Sequence, residues 1–167
     1  MHIFEPFFPD EIQSSSYAVP FREWYKKGYR GVIFDIDNTL VPHGADADER
    51  SIALFKELRE MGFKTMLLSN NKEPRVKRFN ERIGSGYIYN AAKPSRANYL
   101  KAMEEMGTTR ENTLFIGDQL FTDVWGAKRV GIYSILVKPI NPREEIQIVL
   151  KRYLEKPVLY FYKRRKK

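Results

Sequence analysis

Gly31-Val32-Ile33-Phe34-Asp35-Ile36-Asp37-Asn38-Thr39-Leu40 decides how this chain is read. Val32-Ile33-Phe34 is a short apolar run that ends in carboxylates, as a parallel strand buried on both faces does. Downstream, Leu54, Phe55, Leu58 and Met61 recur at helical spacing and Gly62 stops that helix. Lys64–Leu68 reads as a second strand, and Val76, Phe79 and Ile83 as a helical face closed by Gly84. Tyr87-Ile88-Tyr89 is a third strand. Ser95 then stands as the cap of a helix carrying Leu100, Met103 and Met106 and ending at Gly107. Thr113–Ile116 and Ile132–Val137 are the fourth and fifth strands, with a short helix from about Thr122 between them. Ile146, Val149, Leu150, Tyr153 and Leu154 give a final amphipathic stripe.

Strands alternating with helices through short connections imply an α/β domain with a parallel sheet covered on both faces. We assign that domain to residues 30–156. Residues 1–29, rich in Pro and aromatics, are expected to pack on it, and 157–167 form an aromatic and basic tail.

The 167 residues suit one domain with a real core. With no cysteine, disulfides, thiolate zinc sites and cysteine nucleophiles are excluded. Met1-His2-Ile3-Phe4-Glu5-Pro6 does not read as a secretory signal, and no stretch reaches the ~20 apolar residues that cross a bilayer, so the expected location is cytoplasmic. The net charge of +8 is concentrated: Lys151–Lys167 hold eight of the 29 Lys/Arg and one of the 21 Asp/Glu. Everything before Lys151 is almost neutral.

In an open α/β sheet, chemistry gathers at the carboxyl ends of the strands. Asp35 and Asp37 end the first strand here, Ser69-Asn70 the second and Gly117-Asp118 the fourth, with Asp123 close behind and Lys93 after the third. Two carboxylates two residues apart repel unless a cation or shared proton compensates. With Asp118 they make an oxygen-only set, which favours magnesium. Asp35 and Asp37 alone could instead be a turn or cap; a second acidic pair on another strand end weighs against that. Ser69, ahead of Pro74 in a helix's first turn, could hold a phosphate oxygen or simply end its strand. Lys93, restricted by Pro94 to extended backbone, could neutralise phosphate or be an ordinary surface lysine.

Phe34–Leu40, Ser69, Lys93-Pro94 and Gly117-Asp118-Gln119-Leu120-Phe121-Thr122-Asp123 resemble, in order, motifs I to IV of the haloacid dehalogenase (HAD) superfamily of phosphotransferases. From Gly31 to about Ile140 the chain most resembles the small YqeG-type proteins of subfamily IIIA, which are related to phosphatidylglycerophosphate phosphatases. The resemblance implies a three-layer, Rossmann-like α/β/α sheet and a magnesium-dependent phosphatase with Asp35 as nucleophile and Asp37 as acid and base. It implies Mg2+ on Asp35, Asp118 and the Asp37 backbone carbonyl, and phosphate on Ser69, Asn70 and Lys93. Asp123 would orient the metal's waters or Lys93, and Thr39 would brace the loop.

Leu40–Arg50 and Asn71–Ala92 are too short to hold the cap domain that many relatives insert there, so no cap is expected. An open site suits phosphate carried on something large, or a partner subunit supplying the lid in a homo-oligomer. The tail Pro157–Lys167 could contact an anionic membrane or nucleic acid, or be a solvated end. Phosphatidylglycerophosphate is the substrate expected from the resemblance. The alternatives are a nucleic-acid end, a sugar phosphate, or a non-catalytic binding module. A signalling receiver is disfavoured, because receivers do not use an acid two residues after the acceptor.

Overall fold

A computed structural model describes residues 2–141 and 146–166 of the chain, without the side chains of Ile146 and Gln147. Alternation within the strands builds two apolar layers. In β2 (Gly31–Phe34), Val32 and Phe34 point to one side and Ile33 to the other, all fully buried. The first side collects Phe21 of α1 (Phe21–Lys26), Phe55 and Leu58 of α2 (Glu49–Met61) and Val76 and Phe79 of α3 (Glu73–Asn80). The second collects Tyr99, Met103 and Met106 of α4 (Arg96–Met106) and Ala127 of α5 (Trp125–Arg129). These are the three layers expected of the α/β reading.

The sheet also contains β3 (Lys64–Leu68), β4 (Gly86–Ile88), β5 (Thr113–Gly117) and β6 (Tyr133–Val137), and every pairing is parallel. A sixth strand, β1 (Glu11–Gln13), was not anticipated; it pairs with β6, Glu11 opposite Ile135. Asp10 fixes that register, accepting from the Ser134 amide (2.8 Å) and donating its own amide to the Ser134 carbonyl (3.0 Å). The order is β1-β6-β5-β2-β3-β4. Strand order therefore reverses between β2 and β5, and such a switch point opens a crevice at the strand ends. Only a loop joins β2 to α2, and only α3 lies between β3 and β4, so neither connection carries a cap.

Several local expectations are corrected. Tyr99, not Leu100, fills the inner face of α4; Leu100 is exposed. Ser95 stands at the N-cap of α4 without making a side-chain cap bond. Gly62 and Gly107 end their helices in the left-handed conformation, at φ +100° and +67°. The greatest departure is α6 (Ile146–Arg165), which runs straight through the segment read as a tail. Among its described side chains the buried ones are Glu155, Val158 and Tyr162, against Phe8, Leu120 and Val124. Leu150, Tyr153 and Leu154, expected on the inner face, are 62%, 62% and 64% exposed. Phe4 stacks on Phe161 and Phe8 meets Tyr162 edge-on, so residues before β1 and the second half of α6 hold each other.

Candidate active site

The polypeptide turns sharply as soon as β2 ends. The Asp35 amide still bonds the Ile116 carbonyl of β5 (3.0 Å), and the Leu40 amide then closes back on the Ile36 carbonyl (2.9 Å). Asn38 at the tip has φ +60°, a conformation Asn tolerates better than most residues. The loop is anchored from behind by residues before β2. Buried Ser16 donates to the Thr39 carbonyl (2.7 Å) and the Tyr17 hydroxyl to that of Leu40 (2.6 Å).

This loop aims Asp35 at the end of β5. Thr39 Oγ1 sits between Asp35 Oδ2 (3.2 Å) and Asp118 Oδ1 (3.1 Å). Lys93 Nζ, from the loop between β4 and α4, bridges Asp35 Oδ1 (2.8 Å) and Asp123 Oδ1 (2.7 Å). Asp123 folds back beneath the β5 end, its Oδ2 accepting the amides of Asp118 (3.1 Å) and Gln119 (3.2 Å). Glycine at 117 is what permits this, because a Cβ there would stand 2.5 Å from Asp123 Oδ2. Tyr99 secures the same turn by donating to the Thr122 carbonyl (2.9 Å).

Asp35, Asp118 and Asp123 are buried, and each brings a carboxylate oxygen within 4.8 Å of the others. Burial drives Asp35 well above the ordinary carboxylate range; Lys93 opposes this, while Asp123 and Asp118 add to it. Asp118 is pushed up to about 6, first by burial and next by Asp123, against the pull of Arg152. Burial works against the charge on Lys93, but Asp123 and Asp35 outweigh it and hold the ammonium above its usual range. Asp35, Asp118, Asp123 and Glu155 thus surround Lys93 and Arg152, an excess of negative charge, and the first three form a buried set of oxygen donors. That donor set fits a hard divalent cation such as Mg2+.

Asp37 points elsewhere. Its Oδ1 accepts from the Gly44 amide (2.7 Å) and Arg75 Nη2 (3.0 Å), and its Oδ2 from the Asn71 side chain. The pair two residues apart therefore splits, because the strand has already ended and the loop turns the second carboxylate away. Ser69 is buried at the end of β3, where its Oγ accepts the Asn71 amide (3.1 Å). Asn70 brackets the Lys93 backbone, Oδ1 accepting the Lys93 amide (2.8 Å) and Nδ2 donating to its carbonyl (3.4 Å).

The sequence did not point to Arg152 and Glu155 of α6. Arg152 donates to both the carbonyl and the Oδ2 of Asp118, and to Glu155 Oε2 (3.3 Å). Glu155 Oε1 accepts the Leu120 amide (2.8 Å). One helix turn thus clamps the loop that carries Asp118. In sequence this Arg and Glu are an i,i+3 pair like any on a solvated helix, and no signal distinguishes them. Asn71 and Arg75 were equally silent.

Residues 45–131 match the family model described as haloacid dehalogenase-like hydrolase. The chain is 36% identical over 160 residues, 95% of its length and 93% of the relative's, to a Bacillus subtilis (strain 168) protein described as "Probable phosphatase YqeG". It is 27% identical over 158 residues to the Arabidopsis thaliana "Phosphatidylglycerophosphate phosphatase 1, chloroplastic/mitochondrial", covering 78% of this chain and 43% of that one. The fold is shared with the cobalt-bound deoxy-D-mannose-octulosonate 8-phosphate phosphatase of Haemophilus influenzae, at TM-score 0.52 and 16% identity over 68% of this chain and 80% of that one.

Proposed function

Since the chain belongs to the haloacid dehalogenase-like hydrolases and is a phosphatase of that family, we propose that it hydrolyses phosphomonoesters with Mg2+ through an aspartyl-phosphate on Asp35. One observation carries this reading. Three segments that follow different strands bring Asp35, Lys93, Asp118, Asp123 and Thr39 into one hydrogen-bonded cluster at the switch point.

The side chains of Asp35 and Asp118 would hold Mg2+, with the Asp37 backbone carbonyl. Bound there, the ion would supply charge neutralisation for the transferring phosphoryl group. Asp35 attacks phosphorus in line while the bond to the leaving oxygen breaks, giving the aspartyl-phosphate and the alcohol. Asp37 protonates that oxygen and then takes the proton of the water that cleaves the acyl phosphate. Its carboxylate is turned here to Asn71, Arg75 and Gly44, so this role requires Asp37 to exchange one of those donors for the leaving oxygen. Lys93 is kept protonated by two carboxylates and so can hold both Asp35 and a phosphoryl oxygen. The Ser69 hydroxyl and Asn70 backbone complete the phosphate contacts, and Asp123 acts by orienting Lys93.

For the substrate, we propose a phosphomonoester on a lipid, of the phosphatidylglycerophosphate class. The plant relative's described activity and the capless connections after β2 and β3 support this. The test is release of inorganic phosphate from phosphatidylglycerophosphate, 3′-phosphorylated oligonucleotides and sugar phosphates, with Mg2+ and with EDTA. Turnover is expected on the lipid, with Mg2+ only, and Asp35→Asn should abolish it. Undiminished turnover by Asp35→Asn would remove the nucleophile from the scheme.

A further inference from the structure

Seven large apolar or aromatic side chains are exposed among the described residues, and Leu150, Tyr153, Leu154 and Tyr160 of α6 are four of them. At 3.6 residues per turn Tyr153 and Tyr160 lie opposite Glu155, Val158 and Tyr162, and Leu150 and Leu154 continue the exposed surface round toward Val158. Cations accompany them. Lys156 Nζ lies 4.2 Å from the Tyr153 ring centroid, and the Arg164 guanidinium is 5.6 Å from that of Tyr160 while donating to its hydroxyl (3.2 Å). Lys163 is exposed beside them, and the only acid in α6, Glu155, is buried. The outer face thus interleaves apolar and aromatic side chains with cations, and none of its residues carries a carboxylate.

We infer that the outer face of α6 is the surface by which this protein docks on an anionic lipid bilayer. The charge pattern selects that occupant. A second copy would set these cations against their own kind, and a nucleic acid would satisfy the cations but leave Leu150 and Leu154 in water. A helix lying in the interface buries its leucines among acyl chains, seats its tyrosines at headgroup level and extends its lysines to lipid phosphates. No helix among the described residues is long and apolar enough to cross a membrane, and the mode inferred for α6 is peripheral. The same helix holds Asp118 through Arg152, which sets the docked face about one helix diameter, roughly 10 Å, from the catalytic cluster. The inference deepens the lipid-substrate reading above and rests on it for its purpose.

Flotation of the full chain with vesicles of phosphatidylglycerol and phosphatidylcholine, or phosphatidylcholine alone, tests it. Binding is expected only to the anionic vesicles and should weaken between about 0.1 M and about 0.5 M salt. Leu150→Ser/Tyr153→Ser/Leu154→Ser should lower partitioning at least about tenfold. Lys156→Gln and Lys163→Gln should each lower it about fivefold. Hydrolysis of p-nitrophenyl phosphate should be unchanged in all of them; Tyr160→Ser serves as a milder variant if the triple one misfolds. Equal binding to neutral vesicles, full binding by both apolar variants, or wild-type dimerisation through this face in place of vesicle binding overturns the proposal. So does binding to poly(U) without vesicle binding. Vesicle binding without phosphate release would refute the assigned activity and leave the docking surface standing.

Discussion

Asp123→Asn separates two opposing roles of one carboxylate. Asp123 accepts three hydrogen bonds, from Lys93 Nζ and the amides of Asp118 and Gln119. Its charge also raises the proton affinity of Asp35 and Asp118. Asn would put an NH2 against either the ammonium or the two amides, so donor meets donor in a fully buried place. Breaking a buried pair costs about 3–5 kcal/mol. Relief of repulsion works the other way. The whole rise of Asp118 from 3.8 to about 6 is worth about 3 kcal/mol, but burial is its larger cause and Asp123 comes second, so relief of repulsion offsets only part of the loss. The loss wins by about 3 kcal/mol, which for a chain of this size lowers Tm by roughly 6–12 °C. Calorimetry in EDTA measures it without metal compensation. A Tm equal to or above wild type would mean that repulsion dominates and that Asp123 is not held by its three donors.

The pH dependence of the metal-free protein follows from the same cluster. Asp118 has its folded pKa raised, so its contribution is full below about 3.8 and lost as pH rises through about 6. In EDTA, stability should fall by about 1 kcal/mol between roughly pH 5 and 7, and Asp118→Asn should flatten that slope in thermal scans. Gly126→Ala would set a Cβ 2.2 Å from the Tyr99 hydroxyl. It should cost about 1–3 kcal/mol in urea unfolding and slow phosphate release, because Tyr99 holds the turn that carries Asp123. Unchanged unfolding would show that α5 can shift to make room.

The parallel sheet was legible because its strands are apolar runs separated by periodic helices, and the motif residues because each stands at or just beyond a strand end. Gly62 and Gly107 marked their helix ends for a local conformational reason that needs no tertiary context. β1 was not legible: Glu11-Ile12-Gln13 is three half-buried residues whose pairing depends on Asp10 meeting Ser134. The face of α6 was read inverted. Hydrophobicity pointed to Leu150, Tyr153 and Leu154, whereas Arg152 and Glu155 are drawn inward by the charged and backbone groups of Asp118 and Leu120. In α4, Tyr99 takes the buried place that Leu100 was expected to fill, because its hydroxyl meets the Thr122 carbonyl. Such choices depend on partners distant in sequence, which periodicity cannot register.

The pairing of β1 with β6 sets an order of events during synthesis. Glu11 finds its neighbour Ile135 only after 124 further residues have been made, and contacts of such separation form late and slowly. The residues that brace the loop after β2, Ser16 and Tyr17, are made before it, while Arg152, which grips Asp118, is made after every described strand. An incomplete nascent chain would therefore hold Asp35 without the clamp on Asp118 until α6 had left the ribosome and docked.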